Sequence, residues 1–179
     1  MSFSRAPEVE AHARAIAGAF GERFEYLAEA SVGYLWAADE IVVQGRLKAG
    51  YAMLPTAMGQ TRKILDWALA VVFGKRLDAL VVVHQETWDG LSPRARVALV
   101  YHELCHLKHR HTQSGKPCYA PDGRPVLEIA GHDLEEFEEV LARFGTWHEG
   151  LAALRAILGQ PETDEAFEAV TGALRADPA

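Results

Sequence analysis

The stretch His102-Glu103-Leu104-Cys105-His106 constrains this chain more than any other. Two histidines four apart share one face of a helix, and a glutamate follows the first. The pattern carries meaning only where the segment is helical and held still, and the neighbouring residues favour both. Ser92-Pro93 reads as a helix start, with serine able to cap free amides and proline tolerated at the first helical position. Val97, Leu99, Val100, Leu104 and Leu107 then form an apolar face at helical spacing. His102 and His106 fall well inside a helix of about four turns, their Cα atoms about 6 Å apart along the axis. That is close enough for both imidazoles to reach one metal ion. Glu103 beside such an ion is placed to exchange a proton with water held there. The competing reading is a polar helix face that happens to be rich in His and Glu. Tyr101, Leu104 and Leu107 make the region apolar as well, which favours a site.

Two helical histidines need a further protein ligand. His109 would lie about 10 Å along the axis from His102 if the helix continued, too far to share the ion. No glycine turn intervenes before Gly115, so His109 and His111 are expected as helix-end cations favoured by the macrodipole. Downstream, Asp133 and Glu136 have capping-box spacing, predicting a helix from near Leu134 that turns Phe137, Val140, Leu141 and Phe144 inward and stops at Gly145. His132 precedes that cap and ranks first as third ligand, followed by Glu136 and then Glu135. A surface histidine beside a cap is the plain alternative. Cys105 leaves the helix on another face from the ligands and reads as a small core residue. Cys118 is a conceivable fourth ligand, but it would close the open position that a hydrolytic water needs.

The pentapeptide at 102–106, its lead-in Trp88-Asp89-Gly90-Leu91-Ser92 through Ala98-Leu99-Val100-Tyr101, and the block His132-Asp133-Leu134-Glu135-Glu136-Phe137 ending in Arg143-Phe144-Gly145 together resemble the phage metallopeptidase family. The likeness spans roughly residues 24–147. It implies a small zincin-like α+β domain with a mixed or antiparallel sheet packed on an active-site helix and additional helices. It also implies one Zn2+ per chain, phage or prophage origin, and a strand beside the cleft, expected at residues 80–84, that pairs with an extended substrate. A more distant likeness is to SprT-like zinc proteases, whose second block supplies a third histidine. Here the phenylalanine falls one residue later, and Asp133 stands where that block has glycine.

A chain of 179 residues, 49% of them hydrophobic, can bury one good core. We expect a zincin-like domain over residues 1–150 and a helical extension, 151–179, packed on it. No apolar run reaches membrane-spanning length, and residues 65–73 are better read as a buried helix. The polar, acidic residues 1–14 do not look like a secretion signal, and two cysteines make no disulfide framework. A cytoplasmic location, in a bacterium or a phage-infected cell, follows as the expectation. The net charge of −7 argues against direct nucleic-acid binding, although Lys108, Arg110, Lys116 and Arg124 form a local basic group.

Along the chain, helices are expected at residues 7–20, at 61–73 with Gly74 past the end, and in two short segments at 151–158 and 162–174. Strands are expected at 32–36, 47–53 and 80–84, the last running into a turn at Trp88-Asp89-Gly90. Residues 115–130 hold three prolines and Asp122-Gly123, giving a loop with a hairpin that either gates the cleft or merely connects.

These residues point to a zinc-dependent peptidase cutting peptide or protein substrates. His102, His106 and His132 hold the ion, and Glu103 is the general base toward a metal-activated water. Tyr101, His84 and His148 are the candidate oxyanion donors, with His84 also readable as strand packing and His148 as a surface residue. The alternative is a non-catalytic zinc-stabilised interaction module of phage or prophage origin. A shell closed by Cys118 or Glu136 would favour it.

Overall fold

The structure, a computed structural model, describes residues 2–43, 45–56, 58–132, 149–160 and 164–176. In chain order these give β1 (Phe3–Arg5), α1 (Pro7–Ala19), α2 (Gly21–Phe24), a 3-10 turn (Glu25–Ala28), β2 (Val32–Ala37), β3 (Ile41–Val43), β4 (Arg46–Lys48) and β5 (Gly50–Met53). Then follow α3 (Gly59–Phe73), β6 (Ala79–His84), α4 (Gln85–Gly90), α5 (Pro93–His106), β7 (Leu107–His109), β8 (Leu127–Ile129), α6 (Glu149–Leu158) and α7 (Glu165–Ala176). The expected α+β class is what the chain adopts.

The main sheet has the order β1-β2-β6-β5. It is mixed: β2 and β6 run parallel, while β1 on β2 and β5 on β6 run antiparallel. All six residues of β6 are buried, as a β-branched strand covered on both faces requires. Alternation divides them. Val81 and Val83 join Tyr34, Trp36 and the apolar sides of α1 and α5 in the largest core. Leu80 turns to the other face, against Leu69, Leu77 and Phe73 of the α3 side, and Val82 packs there with Ile41 and Tyr51. Gly74 closes α3 in the left-handed conformation, φ 73°, its amide donating to the Ala70 carbonyl at 2.8 Å, as the sequence predicts.

Several expectations need correcting. β6 lies between β2 and β5, so both of its edges are already paired and it cannot be the strand that receives an extended substrate. Among the described residues the outer edge beside α5 belongs to β5. The single strand read at 47–53 is two: β4 pairs back on β3 as a separate hairpin, and the chain crosses at Ala49 into the main sheet. Trp88-Asp89-Gly90 is the end of a short helix and not a turn. Burial of the Trp88 ring against Trp36, centroids 5.4 Å apart, overrides the local turn signal.

Residues 107–130 form a ribbon that doubles back twice, with β7 antiparallel to β8 and further bridges His111 to Pro117 and Tyr119 to Pro125. The expected hairpin at Asp122-Gly123 is one of its turns, Gly123 N–H donating to the Ala120 carbonyl. The ribbon is fastened down, which fits a connector better than a gate. The Tyr26 hydroxyl donates to the Leu107 carbonyl at 2.5 Å, and Arg124 pairs with Asp78 at 2.6 Å. Arg124 is thus committed to carboxylates and is not part of a free basic patch. The predicted helix at 134–144 lies outside the described residues. At the C-terminal end α7 packs on α1 and α5, with Val170 fully buried in the main core.

Candidate metal centre

The helix that carries the pentapeptide begins as its sequence requires. The Ser92 hydroxyl accepts the Ala95 amide at 3.2 Å and Pro93 fills the first helical position. Val97, Val100 and Leu104 lock α5 into the core, so the faces bearing His102, Glu103 and His106 are fixed relative to the sheet. The helix stops at His106, where Leu107 turns to extended backbone. His109 and His111 are therefore not the helix-end cations expected. His109 sits in β7, donating from Nε2 to the Cys118 carbonyl at 2.9 Å, with its ring against Tyr119 and Tyr26. His111 reaches the His109 carbonyl through Nδ1 at 2.8 Å.

Three imidazoles converge. His102 Nε2 lies 3.3 Å from His106 Nε2 and 3.3 Å from His132 Nε2. The ligand atoms of all three fall within 4.8 Å of one another, so together they could hold a metal ion. His106 Nδ1 donates to the Ala130 carbonyl at 2.7 Å, and the Ala130 amide returns a bond to the His106 carbonyl at 2.8 Å. A carbonyl only accepts, so the ring proton sits on Nδ1 and Nε2 presents its lone pair to the cluster. Burial lowers the His102 pKa, helped by the neighbouring His106 and His132 and by the charge of Lys48. Neutral imidazoles are the form that binds metal.

Glu103 leaves α5 toward β5 and is 2% exposed. Its carboxylate accepts the Ala52 backbone amide. A β-carbon placed on Gly50 would meet Glu103 Oε1 at 3.2 Å, so the strand passes directly over the acid. Oε2 is buried without a partner. Burial pushes the Glu103 pKa up to about 7, against the opposing effects of His106, Lys48 and the Ala52 amide. Glu103 Oε2 lacks a hydrogen-bond donor, and the three imidazoles gather their ligand atoms around one point. They are what a cation and its solvent would complete.

Of the other candidates, Cys118 lies in the ribbon and is not a member of the histidine cluster. Glu135, Glu136 and His148 lie outside the described residues. Tyr101 lines a cavity beside the histidines, its ring held edge-on by Phe20 and Phe24. His84 binds Thr87 Oγ1 at 2.7 Å at the buried end of β6, which is strand packing. Sequence reasoning missed Lys48, the Ala52 amide and the Ala130 carbonyl. Only Gly50, a glycine inside a strand, carried a signal, since such a residue often marks a close backbone approach.

Fold and site together define an α+β protein with a three-histidine cluster, able to hold a metal ion, beside a buried carboxylic acid. The chain belongs to the family described as "Putative phage metallopeptidase", whose model matches residues 1–157. The match adds nothing to the SprT-like likeness. No curated protein and no solved structure matches the chain.

Proposed function

We propose that this protein is a zinc-dependent peptidase in which His102, His106 and His132 hold one zinc ion and Glu103 is the general base. The observation that carries this reading is the pair of 3.3 Å separations between imidazole nitrogen atoms. Tetrahedral zinc with Zn–N bonds of about 2.0–2.1 Å sets its ligand nitrogens about 3.3–3.4 Å apart. When bound, zinc supplies Lewis-acid polarisation of a peptide carbonyl and lowers the pKa of a water. The chain's own residues do the rest. Ala130 orients His106 through Nδ1. Glu103 takes a proton from the attacking water at Oε2 and delivers it to the leaving amine. Lys48 acts on both His102 and Glu103, which puts positive charge near where the oxyanion develops. An extended peptide pairing with the outer edge of β5 would cross Glu103 and the histidines.

The interaction-module alternative draws less support, because the family the chain belongs to is described as a metallopeptidase and Cys118, one of the two residues that would close the shell, is not in the cluster among the described residues. Action in a cytoplasm, on phage or host proteins, is part of the same proposal. Both cysteines are free, and no described helix is long and apolar enough to cross a membrane. The test is Glu103→Gln in the zinc-loaded protein, assayed on unfolded protein substrates by mass spectrometry. Hydrolysis should fall by about 10²–10⁴-fold with zinc retained. Hydrolysis within tenfold of the unaltered protein would refute the assignment of the base.

A further inference from the structure

A cavity of about 560 Å³ opens on all three histidines. Resting on the peptidase reading, we propose that it is the specificity pocket, and that it takes a bulky apolar side chain next to the scissile bond with a carboxylate close by. Its position follows from the helix. Ala98, Tyr101 and Cys105 line it at positions i, i+3 and i+7 of α5, the face adjoining His102. Glu103, two residues from Tyr101, points the other way, to β5. A peptide lying across the histidines therefore has the base and the strand on one side and this cavity on the other.

The walls set the chemistry. Phe20, Val97, Tyr101 and Phe167 present aromatic and aliphatic surface, and the volume falls inside the roughly 300–1,000 Å³ range of ligand sites. The remaining charged lining is cationic: Arg23, Arg94 and Lys108, with no carboxylate among the described lining residues. In a chain of net charge −7 that is a local reversal of sign. Arg94 is paired with Asp164, and Arg23 is held over the Phe24 ring with Nη2 donating to Cys105 Sγ at 3.6 Å. Lys108 is exposed at the cavity and closes no ion pair among the described residues; Glu128 stands opposite it across the β7–β8 ladder, so an incoming carboxylate competes with that neighbour for its charge. Apolar walls beside one cation without an ion pair, Lys108, fit an apolar residue flanked by a carboxylate, either an Asp or Glu side chain or a chain terminus.

The experiment is calorimetric titration of zinc-loaded, full-length Glu103→Gln with hexapeptides containing Phe-Glu, with Phe→Ser and Glu→Gln versions, each as free acid and C-terminal amide. Replacing Phe by Ser should weaken binding at least tenfold. Removing the carboxylate should weaken it several-fold, through Glu→Gln where a side chain is read and through amidation where a terminus is read. Adding Ala98→Trp, at an exposed helix position, should abolish the Phe preference, and adding Lys108→Glu should abolish the carboxylate preference alone. Equal affinity for Phe and Ser peptides, indifference to both carboxylates, or no saturable binding at millimolar peptide would overturn the pocket. The unaltered enzyme is then given the same peptides. Selective binding without cleavage keeps the pocket and sinks the peptidase reading, whereas cleavage with no apolar preference does the reverse.

Discussion

Glu103 is a carboxylic acid inside a protein with one oxygen unpartnered, and that has a thermodynamic consequence in the metal-free chain. Its pKa rises from 4.5 to about 7 on folding, chiefly through burial. A raised pKa means that the folded state binds the proton more tightly. Its stabilising effect is complete below about pH 4.5 and is lost as pH climbs through 7, at a cost of about 3 kcal/mol. Metal-free Glu103→Gln should therefore be more stable than the unaltered metal-free protein at pH 8 by about 1–3 kcal/mol, with the gap closing toward pH 5. Urea titrations at the two pH values check this, and a pH-independent gap would show that the acid is not buried as described. At this scale the sequence was most readable where contacts are local. His102, Glu103 and His106 are set by helical spacing alone, and His132 is marked by its place after Gly131 and before a cap. The Ala130 carbonyl, the Ala52 amide and Lys48 act on these residues from 24 to 55 positions away in the chain, and no local pattern announces them.

Among the elements, β5 bears most directly on the chemistry. Gly50 is there because the strand passes over Glu103: a β-carbon would come within 3.0 Å of the Val82 carbonyl and 3.2 Å of the Glu103 carboxylate. A backbone oxygen cannot step aside cheaply. Gly50→Val should cost about 1–3 kcal/mol of stability and lower kcat, because relief of the contact displaces either the strand or the acid. Unchanged melting and unchanged turnover in that variant would rule out the close approach. The legible elements are those whose side chains all say the same thing: the β-branched run of β6 and the capped apolar face of α5. α3 is legible as a helix closed by Gly74 but is not the buried helix its apolar run suggests, since Trp67, Val71 and Val72 stand exposed and only Leu69 is buried. β1 is three exposed residues, Phe3–Arg5, with no alternation to read. The break between β4 and β5 is a change of pairing partner, which depends on the distant β3 and β6. The end of α5 at His106 was equally hidden, since neither proline nor glycine marks it and the pairing of β7 with β8 draws the chain out of the helix.

The molecule as a whole gathers the site from segments that are far apart in sequence. The sheet separates α3 from α1, α5 and α7, and α5 is held between sheet and tail so that its polar face meets β5 on one side and the residues following the ribbon on the other. The ribbon delivers His132: Tyr26 and Asp78 hold its strands, and the paired hydrogen bonds between His106 and Ala130 hold its return to the helix. A bound ion would tie α5 to that return and add stability by mass action, about 2.7 kcal/mol at one hundred times its dissociation constant. The most direct test of the account is zinc content after purification without added metal, measured for the unaltered protein, His102→Ala and His132→Ala, with melting temperature recorded before and after chelation. The account predicts one zinc per chain in the unaltered protein, a lower melting temperature on chelation, and loss of at least nine-tenths of the metal in both variants. A parent protein that holds no zinc, or a His132→Ala variant that keeps its full complement, would contradict it.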